Sequence, residues 1–357
     1  MNIRIIPLLL SALFIVSCGG GGGGSNSSPV QSYSYDKTTA DYTNKTWQVD
    51  MTARTIRDTP SLWSWDNYAS WYPSWSDNGI DIDFVENADY LTINIGYELE
   101  KNYSIQLSEI DSNKPLYDLS GNVIAVIAQN NRASGSVDLL DSFIYSPDYM
   151  ASLNIEYTNV GFLDLFLGGL DRDTFAFNYG SKTFTGDMPK SGSATHGIFG
   201  EAILTLYESP SRTASVLLRG EGSLTANFNS NKIYGQLRLN RAFYYYSLLD
   251  GGGATSEYQV NLQEYIIDFS EKTYNEDGRT WTLGSISGNS FDNYLYADSE
   301  YGNFVGDGVA GGSFFGPGGK ELSGTFIILK DEDLDSTGLY DWDMVGAFYG
   351  TCKPSGC

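Results

Sequence analysis

Between Gly222 and Leu239 apolar side chains recur at every second position, a spacing that buries one face of an extended strand and cannot build the buried stripe of a helix. Leu224, Ala226 and Phe228 share one face, with Thr225 and Asn227 on the other. Asn229-Ser230-Asn231-Lys232 reads as a turn, after which Ile233, Gly235, Leu237 and Leu239 take one face and Tyr234, Gln236 and Arg238 the opposite one. The two runs predict an antiparallel hairpin whose strands share a core side. The same alternation predicts strands at Asp81–Val85 and Tyr90–Ile95, and Glu321–Leu329 reads as another. No segment after residue 150 carries a long amphipathic helical period. The 40 glycines and 26 tyrosines suit a turn-rich all-β chain. Antiparallel strands with one apolar face each require a sandwich or a closed barrel to hide their edges.

The first residues belong to a different problem. Arg4 precedes an apolar run from Ile5 to Val16, too short to span a bilayer as a helix and suited to the apolar region of an export signal. Leu13-Phe14-Ile15-Val16-Ser17-Cys18 resembles the end of a bacterial lipoprotein signal. That resemblance implies cleavage after residue 17, a diacylglyceryl thioether on Cys18 and an acyl chain such as palmitate on its amine. Several chains at ~0.8 kcal/mol per buried CH₂ anchor a protein far more firmly than one. Gly19, where Asp would favour inner-membrane retention, points to the outer membrane. The glycine run Gly19–Gly24 and Ser25-Asn26-Ser27-Ser28-Pro29 cannot bury enough apolar surface to order itself, so residues 18–40 are expected to be a flexible tether.

The formal net charge of −23, from 44 acidic and 21 basic residues, argues against nucleic acid as a partner and against adsorption of the whole chain to anionic lipid. With Cys18 assigned to lipid, Cys352 and Cys357 remain as a pair flanking Lys353-Pro354-Ser355-Gly356. In an oxidising compartment a small disulfide loop is favoured over a metal pair, because a chain with one histidine offers few further ligands. That histidine, His196, has no nucleophile motif nearby, so no catalytic residue is assigned and no enzyme activity is expected. The acidic run Asp331-Glu332-Asp333-Leu334-Asp335 has Ser336 where a calcium loop needs Gly and Trp342 where it needs Glu; it is read as a solvated loop, with no metal or cofactor.

Four of the seven tryptophans fall between Leu62 and Trp75. Large, stiff, amphipathic rings dominate many protein interfaces and also stack on sugars, so Trp63, Trp65, Trp71, Tyr72 and Trp75 are the candidate ligand-binding residues. The alternative is that they pack the core of the first domain. Tyr244-Tyr245-Tyr246 is a second aromatic candidate, of which a strand presents Tyr244 and Tyr246 on one face and Tyr245 on the other.

Gly311-Gly312-Ser313-Phe314-Phe315-Gly316-Pro317-Gly318-Gly319-Lys320-Glu321-Leu322-Ser323-Gly324-Thr325-Phe326 resembles the signature of the transferrin-binding protein B β-barrel family, Gly-x-Phe-Tyr-Gly-Pro followed by Glu-Leu-Gly-Gly-x-Phe. Phe315 stands for the usual Tyr, and Ser323 for the usual first Gly of the second pair. Met188–Thr195, the Gly222–Leu239 hairpin, Ile286–Phe291 and Met344–Phe348 agree in order, so the resemblance covers about residues 155 to 350. It implies an all-β chain with a C-terminal eight-stranded antiparallel β-barrel preceded by a β-rich handle-like domain. The expected organisation is a signal at 1–17, the tether at 18–40, the handle at 41–150, the barrel at 151–351 and a cysteine loop at 352–357.

The family's function, carried over as an expectation, is that of an outer-membrane surface lipoprotein binding a host or environmental protein in iron-source acquisition, transferrin-like or haem-carrying. An outer-membrane receptor or translocator would be a further partner. Transferrin-binding members usually have two lobes and this chain has one, so the ligand does not follow from the signature. A structural envelope module, binding of a complement regulator and carbohydrate binding remain as alternatives.

Overall fold

Alternation along the sequence becomes strand after strand in the computed structural model, which describes residues 32–38, 45–56, 68–72, 80–85, 90–95, 101–106, 115–117, 123–128, 139–145, 153–168, 171–209, 212–245, 264–276, 279–299, 306–330 and 342–353. The strands are β1 (Lys45–Ile56), β2 (Tyr68–Tyr72), β3 (Ile80–Val85), β4 (Tyr90–Ile95), β5 (Lys101–Gln106), β6 (Pro115–Tyr117), β7 (Val123–Ala128), β8 (Leu139–Tyr145), β9 (Thr158–Gly168) and β10 (Asp171–Gly180). There follow β11 (Ser193–Ser209), β12 (Arg212–Asn227), β13 (Lys232–Tyr245), β14 (Tyr265–Ser270), β15 (Lys272–Glu276), β16 (Arg279–Leu283), β17 (Ile286–Ser287), β18 (Ser290–Ser299), β19 (Gly306–Phe315), β20 (Glu321–Lys330) and β21 (Trp342–Cys352). Among the described residues the only helical element is a single 3₁₀ turn at Pro317–Gly319.

The first ten strands form one antiparallel sheet in the order β5-β4-β3-β1-β10-β9-β8-β7-β6, with β2 paired to β1. The second sheet runs β14-β13-β12-β11-β21-β20-β19-β18, and β14 pairs back to β18, so eight antiparallel strands close into a barrel. The fold is therefore all-β with an eight-stranded antiparallel barrel, as the resemblance of residues 155 to 350 implies. The expected hairpin is β12–β13, with Ala226 opposite Ile233 and Leu224 opposite Gly235. Residues 81–85 and 90–95 pair as β3 and β4.

The boundary expected at residue 150 is displaced. Residues 158–180, grouped on sequence with the barrel, hydrogen-bond within the first sheet as β9 and β10, and the change of sheet falls between Gly180 and Ser193. Phe162, Phe175 and Phe177 make these strands as apolar as those of the barrel, so no shift in composition marks the true crossing. The tether is also shorter than expected, because Tyr33–Thr38 is docked on the folded body.

Eight strands enclose a space just wide enough for side chains, and here side chains fill it. Ala194, Ile198, Ala202 and Leu204 of β11 and Leu224, Ala226, Ile233 and Leu237 of the hairpin belong to one buried cluster with six phenylalanines, Phe228, Phe269, Phe291, Phe314, Phe326 and Phe348. The rings form a column. Phe326 lies 6.4 Å from Phe348, Phe348 6.1 Å from Phe291, Phe291 5.5 Å from Phe314 and Phe314 5.9 Å from Phe228. Close approach of strands around this column needs glycine at Gly324, where a Cβ would stand 2.4 Å from the Gly311 carbonyl oxygen and 2.6 Å from the Phe348 ring.

The outer wall of β11, β12, β20 and β21 carries a second apolar layer. Ile203, Leu217, Ile327, Val345 and Tyr349 pack there with Val160, Phe162 and Ala176 of the first sheet. Several polar groups inside this seam are paired. Glu201 and Arg219 form a buried ion pair to which the Tyr349 hydroxyl donates a hydrogen bond of 3.3 Å. Burial pushes the Glu201 carboxyl up, against the pull of Arg219 and of that hydroxyl. At the barrel end, the fully buried Glu321 carboxylate accepts the Glu156 N–H at 2.9 Å on one oxygen and the Tyr157 N–H at 2.8 Å on the other. Ser323 Oγ shares a hydrogen bond of 2.5 Å with Thr158 Oγ1 and accepts one of 3.0 Å from Asn178 Nδ2.

Replacing Glu321 by Gln substitutes an N–H donor for one of two acceptors facing backbone N–H groups. Stranding a buried donor costs ~1–3 kcal/mol. Urea unfolding is expected to show Glu321→Gln less stable by about that amount; an unchanged midpoint would refute the role given to this carboxylate.

Candidate interaction surfaces

A barrel packed through its lumen offers its ends and its outer wall, so those are where a ligand can meet the described part of the molecule. One end is built from residues 181–192, the Phe228–Asn231 turn, residues 284–289 and the 316–320 turn. Gly316 opens the last of these with φ 69°, and a Cβ there would lie 2.5 Å from the Tyr157 ring, so both its conformation and its surroundings demand glycine.

Across this end lies an N-terminal strap, Tyr33–Thr38, held along most of its length. Tyr33 stacks on Phe184 at 4.9 Å. The Tyr35 hydroxyl donates to Asp187 Oδ2 at 2.7 Å and accepts the Phe184 N–H at 3.2 Å. Burial, and then that bond to Asp187, push the Tyr35 hydroxyl up to about 12, so it remains a donor at any physiological pH. Lys37 Nζ meets Glu156 Oε1 at 2.7 Å, and the Thr38 N–H donates to the Glu156 carbonyl at 2.7 Å. Asp187 also accepts the Gly318 N–H at 2.9 Å, tying the strap, the 181–192 segment and the 316–320 turn to one carboxylate. Sequence reasoning missed this strap because the glycine run dominates the composition ahead of it; the signal was Tyr33 and Tyr35, spaced to point the same way from an extended chain.

On the outer wall away from the first sheet, register brings Tyr234, Ser270 and Tyr294 into one row and Gln236, Asp268 and Tyr296 into the next. Tyr234 and Tyr296 are exposed, and Lys272 Nζ sits 3.9 Å over the Tyr294 ring. Gln236 Nε2 donates to Asp268 at 2.9 Å and Arg238 Nε to Gln236 at 2.8 Å. The result is a polar aromatic face that the sequence reading saw only as the outward side of a hairpin.

His196 lies inside the barrel, at the end of the aromatic column. Its ring centroid is 5.9 Å from that of Phe314, Nε2 donates to the Gly319 carbonyl at 3.0 Å, and Nδ1 has no hydrogen-bond partner. Burial lowers its pKa to about 4, only partly offset by the Gly319 bond, so the ring is neutral at neutral pH. Buried in this way, it is a packed residue of the core.

Of the residues singled out in the sequence, Trp71 and Tyr72 lie in β2, opposite Thr52 and Met51 of β1. Trp63, Trp65, Trp75, Cys18, Cys357, Tyr246 and the acidic run 331–335 lie outside the described residues. Tyr244 and Tyr245 end β13, opposite Val216 and Ser215. Cys352, at the end of β21, is disulfide-bonded. No group of three or more His, Cys, Asp or Glu among the described residues is placed to hold a metal.

No family model and no curated protein sequence matches the chain. Solved structures similar to it include a transferrin binding protein B double mutant from Haemophilus parasuis Hp5, 15% identical, with the match covering 85% of this chain and 45% of that one at a TM-score of 0.38. Isotype 1 transferrin binding protein B from serogroup B Neisseria meningitidis is 12% identical, covering 85% of this chain and 44% of that one at a TM-score of 0.38. A transferrin binding protein B mutant structure from Actinobacillus pleuropneumoniae H49 is 12% identical, covering 86% of this chain and all of that one at a TM-score of 0.34. The chain thus spans less than half the length of the first two.

A histidine with folded pKa near 4 and an unfolded value near 6.5 lets the unfolded chain bind the extra proton, so its contribution to stability is complete above pH 6.5 and is lost as pH falls towards 4. The full loss is about 3 kcal/mol. His196→Gln is expected to flatten the fall in unfolding free energy between pH 6.5 and 4; an unaltered slope would show that His196 is not the group titrating.

Proposed function

We propose that the protein is a lipid-anchored lipoprotein of the outer membrane, displayed at the cell surface, that captures a protein ligand in iron-source acquisition, the ligand being transferrin-like or haem-carrying. The observation that carries this reading is the docked strap. The chain that leaves Cys18 is fastened by Tyr33, Tyr35, Lys37 and Thr38 to one end of a barrel whose lumen is full. A filled lumen directs recognition to the outside, and a tether fixed at one end leaves the far end free to meet a macromolecule. The resemblance of residues 311–326 supplies the iron-source class, and the tryptophans and tyrosine at 63, 65, 71, 72 and 75 are the proposed anchors for the ligand. Cys357 is the proposed disulfide partner of Cys352. Binding needs no catalytic residue, cofactor or nucleic acid; export needs a translocator, and an outer-membrane receptor would take over the captured iron source.

A second reading, carbohydrate binding, is favoured by one observation, the polar aromatic face of Tyr234, Tyr294 and Tyr296. Sugar rings stack on such faces while neighbouring amides and carboxylates bond their hydroxyls.

The test is to present the acylated protein on beads to host serum and to haemoglobin-containing lysate, and to identify what is retained by mass spectrometry. Retention of a transferrin-like or haem protein, lost in Trp71→Ala and Trp75→Ala, is the expected result. A folded bait that retains neither, or that instead binds a glycan array, would overturn the iron-source reading. Protection of the protein from external protease on intact cells would overturn surface display.

A further inference from the structure

On the outer wall away from the first sheet, long and short side chains alternate from strand to strand. β13 turns Tyr234, Gln236 and Arg238 outward and β18 turns Tyr294 and Tyr296 outward, while β14 between them offers only Ser270, Asp268 and Ile266. Long side chains on both sides of short ones make a shallow trough along β14. Burial follows that relief: Ser270, Asp268 and Ile266 are half-buried on the floor, and Tyr234 and Tyr296 are 49% and 39% exposed at the walls. The walls stand two strand spacings apart, about 10 Å between backbones. An ion pair bounds each end, Lys232 with Glu271 beyond Ser270, and Arg238 with Glu264 at 3.7 Å beyond Ile266. Between those ends the floor is polar and already oriented, because Arg238 Nε donates to Gln236 Oε1 at 2.8 Å and Gln236 Nε2 to Asp268 Oδ1 at 2.9 Å. The Tyr294 ring is engaged by Lys272, whose Nζ lies 3.9 Å from its centroid and 3.7 Å from Asp307. The exposed rings are those of Tyr234 and Tyr296.

We propose that this trough binds one neutral pyranose unit of a glycan, with its C–H faces against Tyr234 and Tyr296 and its hydroxyls on Asp268, Gln236 and Ser270. The inference rests on the carbohydrate reading above and not on the iron-source one; it gives that reading a site and a class of sugar. Shape, chemistry and charge each select the occupant. Two strand spacings, less the thickness of the rings that line them, leave room for a single saturated ring standing on edge. The electron-rich faces of tyrosine suit the polarised C–H groups of a pyranose, while a carboxylate accepts from hydroxyls and an amide both donates and accepts. Asp268 on the floor opposes an acidic sugar, and Lys272 and Arg238 towards the two ends oppose a cation. A protein partner is disfavoured, because the centre of a protein interface is depleted of charge and a carboxylate occupies the centre here.

The experiment is saturation-transfer NMR on the full mature chain with the methyl glycosides of glucose, galactose, mannose and N-acetylglucosamine, and with N-acetylneuraminic acid and choline as charged probes. The expected result is saturation of the ring protons of at least one neutral glycoside and of neither charged probe. That signal should fall severalfold in Tyr234→Ala and in Tyr296→Ala, and return in Tyr234→Phe and Tyr296→Phe, which keep the stacking surface. Both positions are exposed, and the unfolding midpoint of each variant serves as the control for folding. Phe184→Ala removes an exposed ring at the strap end and should leave the signal unchanged. A neutral glycoside that binds equally well to both alanine variants would overturn the site while leaving the carbohydrate reading standing. Saturation of no neutral glycoside would overturn both, and saturation of choline or of N-acetylneuraminic acid in their place would overturn the assignment of a neutral occupant.

Discussion

A single buried carboxylate, Glu321, joins the parts of this molecule that must not separate. It opens β20, and its two oxygens take the N–H groups of Glu156 and Tyr157, the residues that lead into β9 of the first sheet. Glu156 in turn presents its carbonyl to the Thr38 N–H and its carboxylate to Lys37 of the strap. Barrel, sheet and strap therefore meet within three consecutive contacts. Burial pushes the Glu321 carboxyl up while the backbone N–H groups of residues 156–158 and Lys320 pull it down, the balance remaining on the raised side. Such a group is costly to bury and more costly to strand, so the carboxylate that opens this otherwise apolar strand must keep both of its backbone partners.

Two residues at which segment 311–326 departs from the signature it resembles lie at the same junction. Ser323, where glycine is usual, places a hydroxyl between Thr158 and Asn178 and so adds a hydrogen-bonded link from β20 to both β9 and β10. Phe315, where tyrosine is usual, is fully buried, and its backbone lies opposite Lys182 in the bridge that leads out of the first sheet. Thr183 continues that path, its N–H donating to the Phe314 carbonyl at 2.8 Å and its hydroxyl to the Gly316 carbonyl at 2.7 Å. The glycine-rich segment thus pairs with the stretch between Gly180 and Ser193, where the sheet hands the chain to the barrel.

How much of this the sequence revealed depends on whether the information is local. Strand period is local, and the β12–β13 hairpin could be read residue by residue, including which side chains enter the core. The crossing between the two sheets is not local: β9 and β10 look like barrel strands, and only their partners, Val49–Ile56 of β1 on one side and Leu139–Tyr145 of β8 on the other, assign them to the first sheet. The Tyr33–Thr38 strap was hidden for the same reason, since its partners Asp187, Glu156 and Ser181 are more than a hundred residues away. The aromatic row on β13 and β18 requires β14 between them, a strand whose place could not be known until the barrel closed.

The closure also constrains where function can evolve. Inside the barrel the column from Phe326 to Phe228 leaves each ring held by the next, so a change there alters stability before it alters recognition. His196 shows the limit of what the lumen tolerates: one polar ring, neutral, tied to the Gly319 carbonyl of the end turn. Function is displaced to what the barrel carries, and the two ends are not equivalent carriers. The strap end is stitched together by Asp187, Glu156 and Glu321, each of which links two or more segments of the chain. Substitutions at the strap end therefore reach the sheet and the strap as well as the barrel, whereas exposed side chains of the outer wall such as Tyr234 and Tyr296 can change without that cost.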